Sequence, residues 1–267
     1  MNAVIKYPGA KWSLAHWIIG HFPQHHSYLE PFFGSGAVLF NKPRSNIETV
    51  NDLDGEVVNL FDCIRRDPEQ LGRLVYFTPY SREIYEATYL SEAPEDPFER
   101  AARFLVKCNQ GYGFRTNEVR VGWKSDIQGR ERAYAARNWT ELPDGILQAA
   151  ERLRGVQIEC RPAVEVISRF NAPNVLIYCD PPYVLSARSG GKRQYKYEMT
   201  DKDHLELLAA LKQHPGPVLL SGYPSAMYDA ELVGWYRAEA TATDQLSRTR
   251  QEILWMNFEP IRQESLF

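Results

Sequence analysis

The apolar positions of the chain follow two rhythms. Short apolar or alternating runs at 27–30, 46–50, 156–160, 174–179 and 218–221 read as strands. Stretches with three-to-four-residue spacing at 37–40, 55–66, 163–170 and 201–213 read as helices between them. Leu14, Trp17, Ile18 and His21 add a short helix that Pro23 stops. Strands alternating with helices predict an α/β fold, a mostly parallel sheet with helices on both faces. Two final runs, 236–241 and 251–258, predict an antiparallel pair near the C-terminus.

Between 62 and 150 the alternation lapses. Helical patterns at 82–90, 98–108 and 149–154 flank a centre rich in glycine, arginine and aromatic residues, which predicts an inserted, mainly helical module. The expected division is a sheet domain of 1–61 and 151–267 with an insert of 62–150.

Composition narrows the class. A chain of 267 residues is long enough for one large or two small domains. It carries no apolar run of about 18 residues and no apolar leader after Met1, so a cytoplasmic protein without a membrane partner is expected. Cys63, Cys108, Cys160 and Cys179 are scattered, and His25-His26 reads as a polar turn, so neither a disulfide framework nor a metal site is indicated. The net charge of −3 argues against a nucleic-acid partner, but its distribution argues the other way. Nine cations from Arg100 to Arg137 face only Glu118, Asp126 and Glu131, a basic region within an acidic whole.

The candidate chemistry lies where strands end. The run 174–179 stops at Asp180-Pro181-Pro182-Tyr183. Two prolines cannot continue a ladder, and they fix the Asp180 carboxylate and the Pro181 carbonyl beside the Tyr183 ring. Two rigid acceptors next to an aromatic face suit a flat substrate with an exocyclic amino group, such as an aminopurine. The same residues also fit a closed strand whose acid caps the next turn. After strand 27–30, Gly34 and Gly36 allow a ligand close to the backbone, and Asp52 ends the next strand where an acid accepts ribose hydroxyls. That combination describes a nucleoside pocket.

Tyr7-Pro8-Gly9-Ala10-Lys11, Glu30-Pro31-Phe32-Phe33-Gly34-Ser35-Gly36, Asn51-Asp52 and Asp180-Pro181-Pro182-Tyr183 resemble, in order, the motifs of Dam-type N6-adenine DNA methyltransferases. Leu220-Ser221-Gly222-Tyr223 and Glu252-Ile253-Leu254-Trp255-Met256-Asn257 resemble that family's later strands. The resemblance implies a Rossmann-like class I methyltransferase sheet with an inserted helical DNA-recognition module. It also implies methyl transfer from S-adenosyl-L-methionine to a flipped-out adenine in double-stranded DNA. By position, Tyr7, Lys11, Glu30, Phe32, Gly34, Gly36, Asp52 and Asp180 would contact the cofactor. Asp180, Pro181, Pro182 and Tyr183 would form the catalytic turn, with Tyr183 stacked on the base. No metal is required, because the leaving group is a neutral thioether, and a monomer suffices. Cys160-Arg161-Pro162-Ala163 stands where relatives often carry an acid, which would leave the contact to the cofactor adenine to the backbone.

DNA contacts are expected from two places. Arg188, Lys192, Arg193, Tyr195 and Lys196 follow the catalytic turn with no acid among them and suit phosphate contact. In the insert, Asn109, Gln110 and Arg115 suit base edges, and Lys124 is a further DNA contact. Methylation of cytosine N4 is the alternative within enzymes, since cytosine offers a similar amino group. A catalytically silent DNA-binding protein on the same scaffold is the alternative outside them.

Overall fold

The computed structural model describes residues 3–117, 119–125, 135–188, 193–243 and 249–260. In chain order the elements are α1 (Ala15–Ile19), β1 (Ser27–Glu30), α2 (Ala37–Asn41), β2 (Ile47–Asn51), α3 (Gly55–Arg66), α4 (Pro68–Phe77), α5 (Arg82–Leu90), α6 (Pro97–Gln110) and α7 (Ala135–Leu153). They continue with β3 (Val156–Glu159), α8 (Ala163–Arg169), β4 (Val175–Cys179), α9 (Asp201–Gln213), β5 (Val218–Gly222), α10 (Ala226–Glu231), β6 (Tyr236–Thr243) and β7 (Thr249–Met256). They group into two compact units.

The sheet unit comprises Lys11–Leu53, Gly155–Arg193 and the chain from Tyr197 onward. Its seven strands run in the order β3-β2-β1-β4-β5-β7-β6. All neighbours are parallel up to β5, and β7 is antiparallel to both β5 and β6. The expected α/β class and antiparallel C-terminal pair are therefore observed. β4 and β5 are buried along their whole length, which is why they read as apolar runs rather than alternations. Leu29, Ile177, Leu207, Leu220 and Trp255 belong to one buried cluster between sheet and helices. The sequence runs outward from β1 to β2 on one side and from β4 to β5 on the other. The carboxyl ends of β1 and β4 thus form the topological switch point where open α/β sheets bind ligands.

The helical unit takes in the chain up to Ala10, Asp54–Arg154 and Gln194–Lys196. It begins at Asp54 rather than at 62 because α3 packs on α6 and α7. Asp54 caps α3 through the Glu56 N–H, and the helix buries Val57, Leu60, Phe61 and Ile64 on one stripe. Asp67 caps α4 with Pro68 in the first turn, and Asp96 with Pro97 does the same for α6. Between α6 and α7 the backbone folds on itself: Tyr112 N–H donates to Gly122 O at 2.7 Å and Lys124 N–H to Gln110 O at 2.8 Å. Thr116 N–H donates to Gln194 O at 2.9 Å, which makes 194–196 part of this unit.

Candidate active site

Two turns leave the carboxyl ends of β1 and β4. In the first, Gly34 and Gly36 have φ of 49° and 68°, the left-handed region that favours glycine. A β-carbon at Gly36 would also run into the rings of Phe33 and Phe40, so this glycine serves local packing as well. Gly34 N–H donates to Asp52 Oδ2 at 2.8 Å, tying the turn to the end of β2. Fully buried Asn51 extends the tie: its Nδ2 donates to Pro31 O at 2.9 Å and Arg161 O at 3.0 Å, and its Oδ1 accepts from Arg161 N–H at 2.9 Å. One amide side chain therefore joins the turns after β1, β2 and β3. Phe32 is partly buried against the sheet core.

The second turn is built around Asp180. Buried Lys11, just ahead of α1, places Nζ 3.0 Å from Asp180 Oδ2, 3.8 Å from Glu252 Oε1 and 4.7 Å from the centre of the Tyr183 ring. The Tyr183 hydroxyl lies 3.1 Å from Asp180 Oδ1 and also hydrogen-bonds Glu252 Oε1. Tyr223 meets the Tyr183 ring edge-on at 4.6 Å. Pro181 is buried and Pro182 half-buried, as expected of a rigid turn.

Burial dominates the electrostatics. It raises the Asp180 carboxyl above the usual range while Lys11 pulls it back. It pushes Glu252 up to about 7, again opposed by Lys11. It pushes Glu30, at the end of β1, up to about 8 despite a 2.8 Å hydrogen bond from Tyr28. Asp180 and Glu252 share the single cation Lys11, and Glu30, whose opposing cation is Lys42, lies close enough to feel the Asp180 charge, a crowding of acids suited to a cation.

The sheet unit thus brings Lys11, Asp180 and Tyr183 into direct contact and puts Glu30, Gly34, Gly36 and Asp52 at the adjoining strand ends. Tyr7 is part of the helical unit, buried with its ring 6.3 Å from Tyr195. Glu252 and Tyr28 escape recognition as site residues from sequence because each is one polar position in an otherwise strand-like run. Only the register of β7 beside β5 reveals what Glu252 faces.

Three of the residues expected to contact DNA are engaged within the protein. Asn109 Nδ2 donates to Val4 O and Leu105 O, each at 3.1 Å, and its side chain is buried. Gln110 is fully buried and accepts from Trp123 Nε1 at 3.4 Å. Both amides lie on the packed face of α6, so neither presents an edge to a base in this conformation. Arg188 forms a buried two-pronged pair with Glu198, at 2.9 Å and 2.8 Å, and is not held out toward phosphate. Tyr195 donates to Pro8 O at 3.0 Å. Arg115 and Lys124 are half-buried, with Lys124 5.9 Å above the Tyr112 ring, while Arg193 and Lys196 are exposed. Lys192 lies outside the described residues.

Similarity to known proteins agrees with this geometry. The sequence model of the D12 class N6 adenine-specific DNA methyltransferases matches residues 7–247. The chain belongs to that family. This D12 class methyltransferase is 25% identical over 237 residues to the DNA adenine methylase of Salmonella typhi, covering 85% of this chain and 82% of the relative. Its identity to the DNA adenine methylase of Escherichia coli K12 is 24% over the same coverage. To that of Serratia marcescens it is 22% over 259 residues, 93% of this chain and 92% of the relative. The matched span includes both strand-end turns, so the enzyme is a DNA methyltransferase acting on adenine N6. Among the described residues no helix is long and apolar enough to cross a membrane, and no group of His, Cys, Asp and Glu could hold a metal ion.

Proposed function

We propose that S-adenosylmethionine is the methyl donor, bound over the turn after β1, and that Asp180 and Tyr183 hold the target adenine in double-stranded DNA. One observation carries the reading: at the switch point, a rigid Asp180 locked by Lys11 at 3.0 Å adjoins a glycine turn and an excess of buried carboxyls. The donor set fits the cofactor, with Asp52 for ribose hydroxyls, the 34–36 backbone for close approach, and Asp180 and Glu252 for positive charge. When bound, S-adenosylmethionine supplies an electrophilic methyl group on a sulfonium.

The residues of the chain do the rest. The adenine N6 lone pair is delocalised into the ring and is a poor nucleophile. The Asp180 carboxylate and the Pro181 carbonyl accept the two N6–H bonds and favour a more tetrahedral nitrogen, which frees the lone pair for in-line attack. Lys11 fixes the carboxylate, and Tyr183 lines the base slot. The target base leaves the duplex to enter it, at a cost of a few kcal/mol that contacts elsewhere offset. Those contacts are assigned to the helical unit as target-recognition module, with Arg115, Lys124 and Lys196 as its cations, and to Arg193 of the sheet unit.

The test is Asp180→Ala. Methyl transfer should fall on the order of 10³-fold while binding of duplex DNA persists. A variant that still methylates at a substantial fraction of the native rate would overturn the role of Asp180, and a native protein that fails to bind the cofactor would overturn the donor.

A further inference from the structure

The Tyr183 hydroxyl contacts a carboxylate oxygen on each side, Asp180 Oδ1 and Glu252 Oε1, yet a phenol carries one proton. Both contacts are hydrogen bonds only when one of the two carboxyls also carries a proton. With Lys11 as the cation of the group, that protonation leaves the buried cluster neutral, and its loss leaves one net negative charge. Resting on the reading that Asp180 faces both cofactor and base, we infer that Glu252 is a positioning residue. It fixes Tyr183 and receives, through the Tyr183 hydroxyl, the proton that N6 sheds during methylation.

The balance is simple. As the N6–C bond forms, the S–C bond breaks with its electron pair staying on sulfur, and one N6–H proton must leave. Asp180, which accepts that N–H, takes the proton. Asp180 then donates to the Tyr183 oxygen while the Tyr183 proton passes to Glu252. The positive charge lost at sulfur is replaced by a proton in the cluster. Before the reaction the reverse holds, because a cation beside the cluster favours its ionised form and drives out any proton it holds. Facing Glu252 are Lys11 ahead of α1, Asp180 and Tyr183 after β4, and Tyr178 on β4; on β6 its partner is the uncharged Ala240. Burial holds the Glu252 carboxyl near 7, so both forms are populated at neutral pH.

The experiment is calorimetric titration of the full chain with S-adenosylmethionine, and separately with its thioether product, in two buffers of different ionisation enthalpy at pH 7. The native protein should release up to about half a proton per sulfonium cofactor bound and markedly less with the neutral thioether. In Glu252→Gln, which keeps an acceptor for Tyr183, the release should fall by more than half, and the acid limb of the single-turnover rate should shift. Equal release with both ligands, or release unchanged in Glu252→Gln, overturns the inference. Should that variant not fold, the same pair of titrations in Glu30→Gln, which removes the other nearby carboxyl that holds a proton at pH 7, decides: release retained supports Glu252 and release lost overturns the inference. Failure of S-adenosylmethionine to bind at all would instead sink the cofactor reading beneath it.

Discussion

The turn after β4 and the segment that closes α6 both concentrate polar residues, but the fold uses them differently. Asp180 and Tyr183 follow a strand at the switch point, where the backbone has left the ladder and side chains meet a crevice. Asn109 and Gln110 end an amphipathic helix, and three-to-four-residue spacing turns both inward to Val4, Leu105 and Trp123. A polar residue beyond a strand end is available for chemistry. One on the buried stripe of a helix is consumed by its packing, Asn109 by backbone carbonyls and Gln110 by the Trp123 indole.

Variants in the two regions should therefore fail in different ways. The largest effect belongs to Asp180→Ala, a loss on the order of 10³-fold in methyl transfer with the unfolding midpoint little changed. Asn109→Ala should do the reverse. It leaves buried carbonyls unpaired and should cost about 1–3 kcal/mol in denaturant unfolding, with the preferred DNA sequence unaltered. A changed sequence preference at native stability would restore Asn109 as a reader.

Glu30 sharpens the contrast through pH. Its folded carboxyl titrates near 8 against an ordinary value of 4.5, so the folded state binds the extra proton between those limits. Its contribution to stability is full below pH 4.5 and is lost as pH rises through about 8. Glu30→Gln should stay within about 1 kcal/mol of the native protein at pH 5 and gain on the order of 4 kcal/mol at pH 9, read from thermal midpoints. An equal offset at both pH values would mean that the carboxyl is ionised throughout.

The smallest effects are expected among the cations that follow the Asp180–Tyr183 turn. Neutralising Arg193 and Lys196 should lower the slope of log affinity against log salt by about 1 for each DNA phosphate no longer neutralised. Arg188→Ala should leave that slope unchanged and lower stability instead, because it strands Glu198 in a buried pair. Identical slopes in all variants would remove the segment from DNA binding.

The same physics explains what could be read from sequence. β1, α3, α5 and α9 appear at the predicted bounds because their caps or their periods are unambiguous, as at Asp54 for α3 and the Thr200–Asp203 capping box for α9. α4 escapes the apolar pattern although Asp67-Pro68 marks its start, and most of α7 is hidden because Pro143 breaks the apparent helical run. In the site, Lys11, Asp180 and Tyr183 are legible through their motifs. Glu252 is not, because its part depends on β7 entering the sheet beside β5, a pairing that no local pattern encodes. The inward turn of Asn109 and Gln110 is hidden for a similar reason, since the partner Val4 lies at the far end of the chain.

The most direct test follows labelled methyl from S-adenosylmethionine into unmethylated duplex DNA and identifies the modified nucleoside by mass spectrometry, for the native protein and Asp180→Ala side by side. The account predicts N6-methyladenine from the native protein and none from the variant. N4-methylcytosine, or N6-methyladenine formed equally by both proteins, would contradict it.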